Sequence, residues 1–262
     1  MELGISTATF FGKYLTEESF EQILKLDAHV TEVFLTTFSE YTKKFADTLK
    51  ALLIDKPLKI HSIHSLNNQY EPELFNRMPR TRADAEKIFK DVLNVGQEIG
   101  AKCYTFHGPA KLKRIEYVFD YEYLGNRAEV LCKIAKEYNI EICYENVHWT
   151  FYSDNGYFEN LKKYSPSLRA CLDIKQAMQS KIDYKLFIEE MGENLKTVHV
   201  CDYDKSGSLC APGFGIFEFK ELIKILKHNG FSGPLILELY CEDYKNFEEL
   251  KKGYNYLRDL LI

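Results

Sequence analysis

IEICYE (residues 140–145) and LRACLD (168–173) decide the fold, because each is a short, strand-like apolar run that closes on an acid. The device recurs along the chain. LKTVHV (195–200) carries His199 near its end and PLILELY (234–240) carries Glu238. Working back, CYTFH (103–107) ends on His107 and LKIHSIH (58–64) on His64. Two further runs, LGIST (3–7) and TEVFLTT (31–37), precede them. Stretches of helical periodicity separate the runs: EESFEQILKL, EYTKKFADTLKALL, RADAEKIFKDVLNVGQEIG, NRAEVLCKIAKEY, YKLFIEEMGENL and FEFKELIKILKHNG, with EDYKNFEELKKGYNYLRDLL closing the chain. The fifth and sixth runs have only YFENLKKY between them. Eight strand-then-helix units in 262 residues predict one (β/α)8 TIM barrel over residues 1–262, since such a barrel takes roughly 250 residues. A doubly wound open sheet is the competing architecture, disfavoured by the regular eightfold repeat and by the lack of GxGxxG after the first run.

Composition agrees with one enzyme-sized domain. A hydrophobic content of 45% is enough for a full core. No stretch approaches the roughly 20 consecutive apolar residues of a membrane span, and MELGISTATF lacks the features of a secretory leader, so a cytoplasmic protein is expected. Seven cysteines with no CxxC pair point to free thiols. Cys103, Cys143, Cys171 and Cys201 share strand parity with His107, Glu145, Asp173 and His199, so they are expected to fill an interior layer of the barrel. By the same parity Glu141 and Arg169 should meet as a structural ion pair at the bottoms of neighbouring strands. A net charge of −5 gives no global attraction to nucleic acid, although it leaves a local basic groove open. The outer helices leave room for a homo-oligomer without marking its face.

The longest loops, SLNNQYEPELFNRMP, GPAKLKRIEYVFDYEYLG and DYDKSGSLCAPGFG, all follow the ends of runs, which is the side where barrel enzymes build their sites. A carboxylate at the end of a buried strand is costly to desolvate unless a cation meets it. Glu145, Asp173 and Glu238 have no basic residue close in sequence that serves all three, whereas a divalent ion would. For each alone, an ion pair or a strand-end hydrogen bond explains the residue as well. Together with the imidazole of His199 they make a mixed oxygen and nitrogen shell suited to manganese, cobalt, magnesium or zinc.

The order YEN (144–146), LDIKQA (172–177), VHVCD (198–202), PGFG (212–215) and LELY (237–240) resembles the xylose isomerase-like barrel superfamily, in particular the sugar phosphate isomerase/epimerase family related to endonuclease IV-like proteins. With IHS (63–65) and FHGP (106–109) the resemblance covers essentially the whole chain. It implies that Glu145, Asp173, His199 and Glu238 are the metal tetrad of a ketose 3-epimerase-like site, with Glu145 and Glu238 also the acid/base pair. It further implies an enediolate intermediate on a small sugar or sugar phosphate. His64 and His107 resemble extra zinc ligands of the endonuclease branch; they serve either a second ion or the substrate's oxygens, and the substrate is the preferred use. The third zinc site of that branch is not matched, because Gln176 stands where it needs a histidine and Leu209, Cys210 and Ala211 replace its Asp-x-His. Rival activities are an inosose-type dehydratase and an endonuclease IV-like zinc phosphoesterase.

Around the tetrad, Lys175 shares parity with Asp173 and is expected to reach the pocket as an anion anchor or proton donor, with a solvated helix-start lysine as the alternative. Trp149, the single tryptophan, offers an aromatic wall for a sugar, and Asn146 a partner that orients Glu145 or a ligand hydroxyl. His148 reads as a loop residue. Phe10 and Phe11 either close the pocket or pack in the core, and Gly213 and Gly215 serve a turn.

Overall fold

A computed structural model describes residues 1–66, 70–111 and 117–262. In chain order its strands are β1 (Leu3–Ser6), β2 (Val30–Leu35), β3 (Lys59–Ser65), β4 (Cys103–Phe106), β5 (Glu141–Glu145), β6 (Arg169–Asp173) and β7 (Leu195–Val200). A small antiparallel hairpin of β8 (Asp202–Tyr203) and β9 (Leu209–Cys210) then precedes β10 (Leu235–Leu237). β1 to β7 and β10 close into a barrel in which every neighbouring pair is parallel, β10 lying between β7 and β1. The fold is a (β/α)8 TIM barrel.

Helices α1 (Thr16–Lys25), α2 (Lys43–Leu53), α3 (Pro79–Glu98), α4 (Tyr121–Glu137), α5 (Tyr157–Lys162), α6 (Ile174–Ser180), α7 (Tyr184–Met191), α8 (Phe219–His228) and α9 (Phe247–Leu261) join the strands. Their apolar faces, including Ile23, Phe89, Leu131, Phe187, Leu222 and Leu257, bury the main core against the outside of the barrel. α3 and α4 begin well before their periodic stretches do. Pro79 sits in the first turn of α3, where no N–H is needed, and Asp120 caps α4 by accepting from Tyr123 N at 3.1 Å. α6, whose seven residues are too few to show an apolar face, is foreshadowed only by the helix start weighed for Lys175. Residues 67–69 and 112–116 of the two long loops expected after the third and fourth runs lie outside the described residues.

Two strand irregularities set what faces inward. Between β2 and β3, Thr31 pairs with Ile60 but Glu32 with Ser62, so one extra residue of β3 aligns Glu32 with Ser62 and Phe34 with His64. Between β6 and β7, Ala170 pairs with Leu195 but Cys171 with Thr197, which brings Asp173 level with His199. Below that level Cys103, Cys143 and Cys171 form an interior cluster of their own. Cys201 departs from the expected layer: β7 ends at Val200, parity no longer holds beyond it, and Cys201 joins the outer core. All seven cysteines are unpaired. At the bottom, Arg169 Nε donates to Glu141 Oε1 at 3.0 Å, and Lys196 Nζ lies 3.6 Å from Oε2. Among the described residues no helix is long and apolar enough to cross a membrane.

Candidate metal centre

Glu145 and Asp173 are the last residues of β5 and β6, His199 stands one before the end of β7, and Glu238 follows β10 directly. The strand ends therefore deliver all four to one level, and all four are buried. Glu145 Oε1 lies 2.9 Å and Glu238 Oε2 3.3 Å from the same atom, His199 Nδ1. One ligand atom from each of Glu145, Asp173, His199 and Glu238 lies within 4.8 Å of the others. The three carboxylates open into a pocket of about 100 Å³ at the C-terminal mouth of the barrel, walled by Phe34, His64, His107, Trp149, Lys175 and Tyr240.

The electrostatics are those of a crowded acid cluster. Burial opposes the charge of Glu145, but hydrogen bonds with His107 and His199 hold its carboxyl down at about 2. Asp173 goes the other way: burial pushes it up to about 6 against the pull of Lys175, and the neighbouring acids Glu145 and Glu238 add to the rise. Lys175 Nζ lies 3.7 Å from Asp173 Oδ2 and 3.5 Å from Glu238 Oε2. Burial outweighs the ammonium beside it and keeps Asp173 the least readily ionised acid of the pocket. Convergent buried donors of oxygen and nitrogen type, with one acid resisting ionisation, fit a divalent cation.

On the β3–β4 side, His64 Nε2 and His107 Nε2 are 3.0 Å apart, and His107 Nε2 is 2.8 Å from Glu145 Oε2. Ligand atoms of His64, His107 and Glu145 also fall within 4.8 Å of one another, so the residues expected for a second ion or for substrate are brought together. Burial opposes protonation of His64, yet Glu238 and Glu32 raise it to about 10. Its Nδ1 lies 3.4 Å from Glu32 Oε1 and 3.6 Å from Glu238 Oε1. Two acids in this region escaped the sequence reading. Glu32, in the middle of β2, is fully buried under the pocket. Glu71, also fully buried, accepts from the backbone N–H of His107 and of Gly108, each at 3.0 Å, and from Tyr104 Oη at 2.5 Å. Gly108 has φ of +71°, and a Cβ there would strike the Tyr144 ring, so glycine is required for this turn.

The fringe residues divide. Lys175 reaches the pocket as expected, but through the first turn of α6 and not by strand parity, because β6 ends at Asp173. Asp173 itself caps α6, accepting from Gln176 N at 3.0 Å. Asn146 holds Asp173 and not Glu145: its Oδ1 accepts from Asp173 N at 2.8 Å and its Nδ2 donates to Asp173 O at 2.9 Å. Trp149 lines the mouth with its ring 5.9 Å from that of His107. His148 is an exposed loop residue bound to Gln176 Oε1 at 2.6 Å. Phe10 is core and Phe11 packs at 5.9 Å against Phe34, so it is Phe34 that walls the pocket. Gly213 and Gly215 donate their N–H groups to Asp202 Oδ2 at 2.9 and 3.0 Å, which makes the PGFG turn a wrapping for a buried acid.

A closed parallel barrel with acids and an imidazole converging at the C-terminal ends of its strands defines the class of protein. Residues 20–260 match the family described as xylose isomerase-like TIM barrel, and the chain belongs to that family. Among solved structures, a D-tagatose 3-epimerase-like protein is 19% identical with a TM-score of 0.80, covering 100% of this chain and 97% of its own. D-psicose 3-epimerase with D-tagatose from Clostridium cellulolyticum H10 is 15% identical with a TM-score of 0.82, covering 100% and 99%. The IOLI protein with a bound zinc atom is 17% identical with a TM-score of 0.76, covering 100% and 96%. No curated protein matches the sequence.

Proposed function

We propose that this chain is a divalent-metal-dependent isomerase or epimerase of a small sugar or sugar phosphate, acting through an enediolate. The observation that carries the reading is that Glu145 and Glu238, delivered by strands with β6 and β7 between them, both line one pocket and approach one nitrogen of His199. Sugar epimerases among the solved neighbours, and the zinc bound by another neighbour, the IOLI protein, support it.

Glu145, Asp173, His199 and Glu238 would hold the ion. Bound there, a divalent ion polarises adjacent carbonyl and hydroxyl oxygens and so acidifies the C–H between them. Glu145, kept ionised by His107 and His199, is placed to remove that proton. Glu238, with Lys175 beside it, is placed to return one from its own side of the pocket. Return to the opposite face inverts the centre; return to the neighbouring carbon exchanges ketose and aldose. Phe34 and Trp149 offer apolar walls, and His64 and His107 offer ring edges to the sugar's oxygens. This chemistry needs no second ion at His64 and His107. Unpaired thiols support a reducing, cytoplasmic location.

The test is incubation of manganese- or cobalt-loaded protein with free and phosphorylated ketoses in D2O. Deuterium beside the carbonyl, with the epimer or isomer alongside, is expected from the wild type and not from Glu145→Gln. No deuterium uptake from these ketoses, with cleavage of a phosphodiester offered in a parallel incubation, would overturn the proposal.

A further inference from the structure

Glu32 lies inside the barrel beneath the pocket, where β3 carries its extra residue. Donors from four other strands converge on it. Ser6 Oγ donates to Oε1 at 3.3 Å, Ser62 Oγ to Oε2 at 2.8 Å and Thr105 Oγ1 to Oε2 at 2.6 Å, while His199 Nε2 lies 3.2 Å from Oε2. Ser6 and Ser62 are its cross-strand partners on either side, so the register itself builds the cradle. A buried carboxylate supplied with this many donors is held in its charged form, and a charged carboxylate only accepts. The nitrogen of His199 that faces it must therefore carry the hydrogen. The other nitrogen, Nδ1, is the one turned to the carboxylates of Glu145 and Glu238, and a metal ion held between them would take the place of the hydrogen there.

We infer that Glu32 is a positioning residue: it fixes the ring angle and the Nε2–H form of His199, so that Nδ1 presents its lone pair to the metal. The inference rests on the reading of His199 as a metal ligand. Glu32 does not line the pocket, and its route to the chemistry runs through the ring. Anionic partners on the far nitrogen of a ligating imidazole orient the ring and raise its basicity, and their loss weakens metal binding by about 10- to 100-fold. Three hydroxyls at Glu32 hold the carboxylate against rotation, which makes the alignment independent of substrate.

Chelator competition with zinc, on the wild type, Glu32→Gln, Thr105→Val and His199→Asn, tests the inference together with nitrogen NMR of histidine-labelled, zinc-loaded protein. Glu32→Gln should bind zinc about 10- to 100-fold more weakly, and its His199 Nε2–H resonance should move upfield and exchange faster with water. Thr105→Val, which removes one donor and keeps the carboxylate, should shift both readouts the same way by a few-fold, and it carries the test should Glu32→Gln not fold. Wild-type affinity and an unmoved resonance in the folded variants would overturn the role. So would a second zinc in the wild type that Glu32→Gln alone removes, because ligand atoms of Glu32, His64 and Glu238 also lie within 4.8 Å of one another and Glu32 would then be a ligand. His199→Asn separates the two levels: undiminished zinc affinity there sinks the ligand assignment itself, whereas loss there with none in Glu32→Gln sinks only the inference about Glu32.

Discussion

The mouth of the barrel holds two sets of buried acids that differ in what already satisfies them. On the β2–β4 side, Glu32 and Glu71 meet hydroxyls and backbone N–H groups within the protein, Glu32 also meets the His199 and His64 rings, and both acids are closed off from the pocket. On the β5–β10 side, Glu145, Asp173 and Glu238 line the pocket and face imidazoles, one ammonium and each other. Burial is the same in both sets. The difference lies in free acceptor capacity: acids enclosed by donors within the protein hold a structure in place, and acids that open onto the pocket are available for a cation and for proton transfer.

The comparison breaks most readily at the pocket acids. Glu145→Gln and Glu238→Gln should each lower turnover by about 10²- to 10⁴-fold, the range for a positioned acid or base, with the fold intact by circular dichroism. Equal losses on removing Glu71 would erase the distinction. Glu71→Gln should instead leave metal content unchanged and lower stability by about 1–3 kcal/mol, read from denaturant midpoints, because it disturbs acceptors for three buried donors.

Acidity sharpens the contrast. Asp173 is raised to about 6, so below that pH a proton occupies the group that the ion requires. Metal affinity should fall as pH drops through about 6, by up to about tenfold per unit for this one proton, and Asp173→Asn should lose that dependence along with much of the affinity. In the metal-free protein the sign for folding is opposite: a raised carboxyl keeps its proton where the unfolded chain has lost it, so Asp173's contribution declines as pH rises toward about 6. The smallest effect belongs to the rim. Trp149→Ala should raise KM by a few-fold with kcat nearly unchanged, since the ring is 37% exposed at the pocket mouth and packs beside His107.

The same contrast explains what the sequence displays and what it hides. The pocket acids end apolar runs, so position alone marks Glu145, Asp173 and Glu238, and with them the barrel. Glu32 stands near the start of TEVFLTT, away from the run's end, where an acid reads as the polar tooth of an alternating strand. Its one signal is an inward parity shared with Phe34, and the extra residue in β3 that gives it Ser62 as a partner has no mark in the sequence. Glu71 stands in a long loop with no periodicity to place it. Lys175 was found by an argument that fails at the strand end, because a helical turn happens to carry it to the pocket that parity would have chosen. Asn146 was matched to the wrong acid because the contact it makes is to backbone, and side-chain identity does not encode that.

Elemental analysis of metal per chain tests the central claim most directly, on protein purified without chelator and reconstituted with manganese, cobalt, magnesium and zinc together. The account requires one ion per chain, lost on Asp173→Asn and kept on His64→Ala and Glu71→Gln. No bound ion in the wild type, or an ion that survives Asp173→Asn and leaves with His64→Ala, would contradict it.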